Sequence, residues 1–538
     1  MAKALEMGRN SAFGSLQLFI GKLISTVALA VGTIILGIFI LESDYGLYTI
    51  ALIPATTILL FQDWGISAAL IKTCAQCRAR NQTEELRKII IAGFTFEVIT
   101  GSILTVFSLL MAGFIASAIF AEPGSVFLIT LASITILSTS LFVTSQSIFI
   151  GFERMGLYSL ILIFQAVTQG VVAPLLVYLG YGALGAMMGY TLAILISSIL
   201  AVGVVYFGVF RDLPHNTHSF SILQTLKPLL SYGIPLAVGS IITGILPQFY
   251  SFLMAVFVDM ATIGNFRIAT NFAVLLTFLT IPISTVLFPA FSKLDPQKER
   301  KLLKTVFTSS VKYTAILLVP ATIVIVVMSQ PIIGTIYGTK WPSAALFLSL
   351  YVLTNLFAVF GNLSLNSLLS GIGETKMVMK LNILTLFIGV PMAFLLIPYF
   401  EIVGMITVLI VATVPSMFIG LYWAWKHYGT KADFRSSLGI FVASIIAAVP
   451  TYVAINVLNT ASWIMLATGT MLFLAIYLIA APLIGAINQS DINNLRAMVS
   501  GLGFISKTLE IPLVIIQKVL NVRNGDKLSS TINQSTPS

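Results

Sequence analysis

Apolar runs of about twenty residues, enough to cross a bilayer core of about 30 Å, follow one another along this chain almost without pause. That pattern leaves little choice of structure. In lipid no water is at hand for a free N–H or C=O, so a span must satisfy its own backbone, and a helix does this within one segment. Of 538 residues 58% are hydrophobic and only 9% are charged, where a soluble domain carries roughly 25% charge. The expected fold class is an all-α polytopic membrane protein.

Fourteen transmembrane helices are expected, from a first span at 13–39 and a second at 46–71 to a last at 462–487. Pro235, Pro247, Pro282 and Pro320 fall inside spans and predict kinks there. The opening "MAKALEMGRN" is charged and polar, without the apolar core or small-residue cleavage site of a signal peptide.

Lys and Arg placement sets the orientation. Alternate loops with both termini hold 26 of the 29 basic residues, most densely at 72–88, 293–304 and 426–435. The opposite loops hold Lys340 beside Glu42, Asp44, Glu122, Asp259 and Glu401, which leaves Lys22 and Arg267 for the membrane. Both termini are therefore expected in the cytoplasm, with the chain in the cytoplasmic (plasma) membrane. The net charge of +10 is a topology signal and gives no support to nucleic-acid binding.

The chain repeats itself. "DYGLYTIA" from Asp44 returns as "TIGNFRIA" from Thr262, 218 residues later, and both phrases turn between spans on the outer side. Gly151 and Gly371 stand 220 apart in matching phrases, and Gly185 and Gly404 stand 219 apart. Six spans separate equivalent positions, so both copies enter the membrane the same way, which describes a parallel repeat. The expected organisation is an N-terminal six-helix lobe (1–207), a cytoplasmic linker (208–228), a C-terminal six-helix lobe (229–425) and two further helices (426–487). An interfacial amphipathic segment (488–522) and a disordered tail (523–538) follow.

The phrases "LESDYGLYTIALI", "FQDWGISAALIK", "STVLFPAFSKL", "IYGTKWPSAALFLSLYVL" and "SGIGETKM" resemble the polysaccharide-biosynthesis branch of the multidrug/oligosaccharidyl-lipid/polysaccharide exporter superfamily. The resemblance runs through the first twelve spans in order and extends to fourteen-span members. It implies a V-shaped pair of six-helix lobes, alternating access, and flipping of polyprenyl-diphosphate-linked oligosaccharide. The protein is expected to work as a monomer and without a cofactor.

Charged residues inside spans are costly and so are functional candidates. Lys22 lies about nine residues into the first span, roughly 14 Å deep. Ser15, Lys22, Thr26 and Thr33 share one helix face, and Thr56, Asp63 and Ser67 repeat the spacing in the second span. Glu97 stands between Gly93 and Gly101, and Gln165 and Gln169 share a face. The first lobe is thus expected to hold a mixed-charge cluster of Lys22, Asp63 and Glu97. The second offers Arg267 with Asn271 one turn on, and an asparagine face at Asn355, Asn362 and Asn366. In this reading Lys22 and Arg267 face a diphosphate in a central cavity, the Asn and Gln faces contact the headgroup, and Asp63 or Glu97 takes up H+ or Na+. Blander readings stand beside it: Arg267 snorkels to the interface, the charges neutralise one another, and the amides are interhelical hydrogen bonds.

"CAQC" at Cys74–Cys77 has the spacing of zinc and redox sites but stands alone, and His215 and His218 form an equally weak metal signal, so no metal is expected. Sequons at Asn81, Asn488 and Asn533 fall on the cytoplasmic side. No Gly-x-x-x-x-Gly-Lys-Ser/Thr loop is present. A membrane-embedded polysaccharide polymerase or glycan transferase would need a sizeable outer domain or a carboxylate–metal constellation, and the outer loops are short. The favoured reading is a flippase of lipid-linked oligosaccharide, and the alternative is a cation-coupled exporter of amphiphilic drugs.

Overall fold

The computed structural model describes residues 2–214, 221–458, 460–499 and 510–523. His215, His218, Asn533, part of the amphipathic segment and the tail from 524 lie outside the described residues. Every regular element described is helical. In order these are α1 (Ala2–Phe39), α2 (Glu42–Leu59), α3 (Ile66–Ala79), α4 (Thr83–Phe114), α5 (Val126–Gly151), α6 (Met155–Leu176), α7 (Gly182–Val205), α8 (Ile222–Phe257) and α9 (Met260–Ser292). The chain continues through α10 (Arg300–Tyr337), α11 (Ala344–Val352), α12 (Asn362–Gly371), α13 (Thr375–Tyr428), α14 (Phe434–Leu458), α15 (Ser462–Ile484), α16 (Gln489–Val499) and a last helix, α17, over 510–523. The apolar helices make this a multi-pass membrane protein.

By length and composition ten of the described helices can cross a membrane, or eleven if the pair Ala344–Phe360 and Asn362–Gly371, bent by 58°, is one span. Two of the ten, Met155–Phe210 with 56 residues and Thr375–Tyr428 with 54, are too long for one crossing, since each would reach about 80 Å. Each bends midway, one at Gly180 (φ 93°) and the other at Glu401 (φ 50°). The expected fourteen is reached only by counting both as double crossings and adding the bent pair and the α2–α3 pair. α8 and α10 run on through Pro235, Pro247 and Pro320.

The internal repeat is written in the backbone as well. Left-handed φ values recur at Ala121 (54°) and Gly338 (63°), at Glu153 (55°) and Gly373 (86°), and at Gly182 (50°) and Glu401 (50°). These pairs stand 217, 220 and 219 residues apart, within one residue of the offsets of the sequence phrases.

Packing divides the chain into two compact units, Met1–Phe272 with Leu386–Val408, and Ala273–Thr385 with Leu409–Ser538. In the first, small residues let α1 and α6 run in backbone contact, because a side chain at Gly32 would overlap Gly170. Ser159 Oγ donates to the Gln17 carbonyl at 2.9 Å along the same seam. In the second, one core combines Val319 and Ile323 of α10, Ala443 and Ala447 of α14, and Phe473 of α15 with Leu513, Ile516 and Leu520 of α17. Lys312 is not a loop charge, although the loop count treats it as one. It is 8% exposed inside α10, and its Nζ lies 2.6 Å from an Asp491 carboxylate oxygen on α16.

Candidate functional site

The second span is not continuous. The expected helix over 46–71 stops at Leu59, and i to i+3 bonds from Leu60, Phe61 and Gln62 close a turn. Gly65, at φ 80°, then lets α3 start in a new direction. Asp63 Oδ1 accepts the Ser67 N–H at 3.1 Å and so caps the first turn of α3. The single helix face expected for Thr56, Asp63 and Ser67 is therefore broken between Thr56 and Asp63. Irregular backbone at membrane depth is tolerated where it is buried in protein, and discontinuous spans form ion sites in secondary transporters.

The break turns Gln62 inward. Its Nε2 donates to Glu97 Oε2 on α4 and, at 2.8 Å, to Ser140 Oγ on α5. Ser140 Oγ in turn lies 2.6 Å from the same carboxylate oxygen. Glu97 is fully buried, and its other oxygen, Oε1, has no hydrogen-bond partner among the described residues. Asp63 is close enough for its charge to act on Glu97. An ionised Glu97 thus holds hydrogen bonds on one side and bare, buried oxygen on the other. This donor set suits a carboxyl that takes up a proton or a monovalent cation.

Lys22 is not part of that cluster. It is exposed on α1, and among the described residues it makes no ion pair with Asp63 or Glu97. The physical reason is that α1 packs along α6, where Gly21 meets Ser159. The side chain of Ser15 lies outside the described residues, and Gln165 and Gln169 are half-buried on α6.

Arg267 is half-buried on α9, and its Nε is buried without a hydrogen-bond partner among the described residues. Its charge acts on the hydroxyls of Tyr48 on α2 and Tyr190 on α7. Asn271, one turn on, donates to the Tyr45 hydroxyl at 2.8 Å. The guanidinium thus lies half-buried among tyrosines, with its Nε enclosed by protein. In the second unit the asparagine face is interrupted. Asn355 lies in a 3-10 stretch over Leu353–Phe360, while Asn362 and Asn366 follow the bend at Gly361 (φ 91°), so the three share no single helix phase.

Gln62, Ser140, Tyr45, Tyr48 and Tyr190 were not among the residues singled out from the sequence. The signal for Gln62 is its place beside Asp63 and just ahead of Gly65, a polar pair with a turn residue in an apolar run. Cys74 and Cys77 are both free and buried on α3, and burial pushes the Cys74 thiol up to about 12, which suits packing and not redox chemistry. Among the described residues no group of three or more His, Cys, Asp or Glu could hold a metal ion.

Comparison with known proteins places this geometry. The chain is 28% identical over 210 residues to the lipopolysaccharide biosynthesis protein WzxC of Escherichia coli (strain K12), a match covering 39% of this chain and 41% of that protein. The chain thus spans about two fifths of that relative's length. Among solved structures the fold is similar to the lipid II flippase MurJ in an inward closed conformation, with TM-score 0.69, 14% identity, and coverage of 87% of this chain and 98% of that one. It is also similar to an inward-facing multidrug resistance MATE family transporter of the MOP superfamily, with TM-score 0.61, 16% identity, and coverage of 77% and 98%. The profile of the polysaccharide biosynthesis protein family matches residues 35–346, more than half of the sequence. The chain belongs to the polysaccharide biosynthesis protein family.

Proposed function

We propose that the chain flips a polyprenyl-linked oligosaccharide across the cytoplasmic membrane by alternating access, with both termini in the cytoplasm. Family membership supports a saccharide substrate, and the structural likenesses are to a flippase and a transporter. The observation that carries the reading to an anionic headgroup is Arg267. A half-buried guanidinium, with a buried and unpartnered Nε and no carboxylate in ion-pair contact among the described residues, keeps its charge for a ligand. Lys22, Gln165, Gln169 and Asn271 of the same unit supply further polar contacts. The amides of Asn355, Asn362 and Asn366 are proposed to bond sugar hydroxyls, and Asp63 with Glu97 is proposed to take up H+ or Na+.

The test uses the full chain in liposomes with a fluorescent polyprenyl-diphosphate disaccharide. Arg267→Gln and Lys22→Ala should each weaken headgroup binding about tenfold or more, near 1.4 kcal/mol, at unchanged membrane expression. Glu97→Gln should abolish the response of flipping to an imposed ion gradient while leaving binding within about twofold. Binding that survives both cation variants sinks the anionic-headgroup reading. The alternative, cation-coupled export of an amphiphilic drug, draws support from Glu97. It gains if Glu97→Gln stops gradient-driven efflux of a lipophilic cation dye while Arg267→Gln leaves that efflux intact.

A further inference from the structure

A second polar feature of the first unit lies away from Glu97 and Arg267. The end of α3, the start of α4, the turn between α5 and α6 and the residues 208–213 that follow α7 line an open cavity of about 270 Å³. Arg78, Arg154, Asn81 and Asp212 face it, over an apolar floor that includes Phe152 and Val209. Each of these guanidiniums donates to a backbone carbonyl. Arg78 Nη1 donates to the Phe152 carbonyl, and Arg154 Nη1 to the Gly208 carbonyl. Just outside, Arg87 Nη1 donates to the Leu213 carbonyl at 3.0 Å and lies over the Phe210 ring at 4.3 Å.

Arginines at helix ends do cap carbonyls, and that alone needs no ligand. Each guanidinium carries five donors, however, and these bonds use one or two of them. Among the described residues only Arg78 of these has a carboxylate partner, Glu153 at 3.2 Å, and that pair is 46% and 66% exposed, so water screens it. Inside the cavity two guanidiniums face one carboxylate, Asp212, which leaves one positive charge. A phosphodiester carries one negative charge. Basic pockets between spans on the cytoplasmic side are sites for lipid headgroups, and the apolar floor suits the glycerol and first acyl carbons next to such a phosphate.

We propose that this cavity binds the phosphodiester headgroup of an anionic phospholipid of the cytoplasmic leaflet. The proposal rests on the orientation read from loop charge and not on which substrate is flipped, so it stands or falls apart from the flippase reading.

The experiment measures lipid retained by the purified full chain in native mass spectrometry. The added lipid is dioleoylphosphatidylglycerol, dioleoylphosphatidylcholine or an equal mixture. The parent should keep phosphatidylglycerol over phosphatidylcholine by about tenfold. Thr83→Glu puts a carboxylate on the cavity wall at the first residue of α4, where a negative charge favours the helix. It should erase that preference without loss of folded protein. Asp212→Asn should raise the preference about threefold, the opposite sign, which a purely structural role for these residues does not produce. Should Thr83→Glu fail to fold, Asp212→Asn alone decides. Equal retention of both lipids by the parent, or variants that leave the ratio unmoved, overturns the proposal. Displacement of the lipid by equimolar glycerol phosphate overturns the lipid assignment in favour of a free phosphate site.

Discussion

At Glu401 the backbone takes φ 50° and ψ −127°, a region that L side chains avoid. Its counterpart in the first repeat, Gly182, has φ 50° and ψ −133°, and glycine adopts this at no steric cost. The fold therefore imposes the same turn on both copies, and only one has the residue that suits it. Glu401→Gly should stabilise the protein by about 1 kcal/mol, the strain relieved less the chain entropy that glycine adds, and raise the midpoint of thermal unfolding in detergent by a few degrees. Gly182→Ala should lower it, since a Cβ there would sit 2.5 Å from Asp44 Oδ2 as well as being strained. A Glu401→Gly midpoint at or below the parent's would show that the turn is not strained. Single residues are also where the sequence is hardest to read. Lys312 looks like one more cytoplasmic charge until Asp491, from a helix far along the chain, is found beside it. The pairing of Gln62 with Glu97 needs a break in the second span that no periodicity announces. Asp63, Glu97 and Arg267 stand out in the sequence as charges within apolar runs, and the break after Leu59 is what places Gln62 beside Glu97.

Helices were legible where they are long and uniform, and least where they break. The repeated phrase was visible as sequence, and the structure supplies its physical reason. It brings the N-terminal ends of α2 and α9 together within the first unit. A methyl at Gly46 would overlap the Met260 carbonyl, and one at Gly264 would overlap the Glu42 carbonyl, so each glycine admits the other helix's backbone. Asn265 Nδ2 then donates to Glu42 Oε2 at 2.6 Å, and Asn271 closes on Tyr45 one and a half turns deeper. Gly46 and Gly264 are thus contact residues of a seam. If access alternates, that seam parts when the path opens outward. A disulfide between cysteines at Ser43 and Ala261 should form in the parent background and block flipping until it is reduced. Gly46→Ala or Gly264→Ala should hold the seam apart, slow the crosslink about tenfold and lower flipping in step. A Gly46→Ala protein that crosslinks and flips like the parent would show that the seam carries no function. What stayed illegible at this scale is local: the 3-10 stretch and the bend at Gly361 need tertiary contacts to fix them, here Val311 packed against that glycine.

For the molecule as a whole, the charge distribution predicts which way the helices run, and the prediction can be tested with few probes. The chain's own thiols do not interfere, because Cys74 and Cys77 are both buried on α3. Gly124 has open space where a side chain would extend, and Thr339 is exposed in an expected outer loop. Gln297 is exposed in the basic loop 293–304, expected on the cytoplasmic side. The orientation rule rests on basic residues in short loops near span ends, and the reassignment of Lys312 to a buried pair removes one charge from a large cytoplasmic excess. In intact cells, single cysteines at Gly124 and Thr339 should react with a membrane-impermeant maleimide, and one at Gln297 should react only after the membrane is opened. These positions also probe the span count. Gly124 follows α4, Gln297 follows α9 and Thr339 follows α10, so Gly124 and Gln297 fall on opposite sides only if an odd number of crossings separates them. With Met155–Phe210 read as two crossings, the helices from α5 to α9 make five. Read as one long helix, they make four, and Gly124 and Gln297 would label from the same side. Labelling of Gly124 and Gln297 from one side and Thr339 from the other would overturn the division of the 56-residue helix into two crossings.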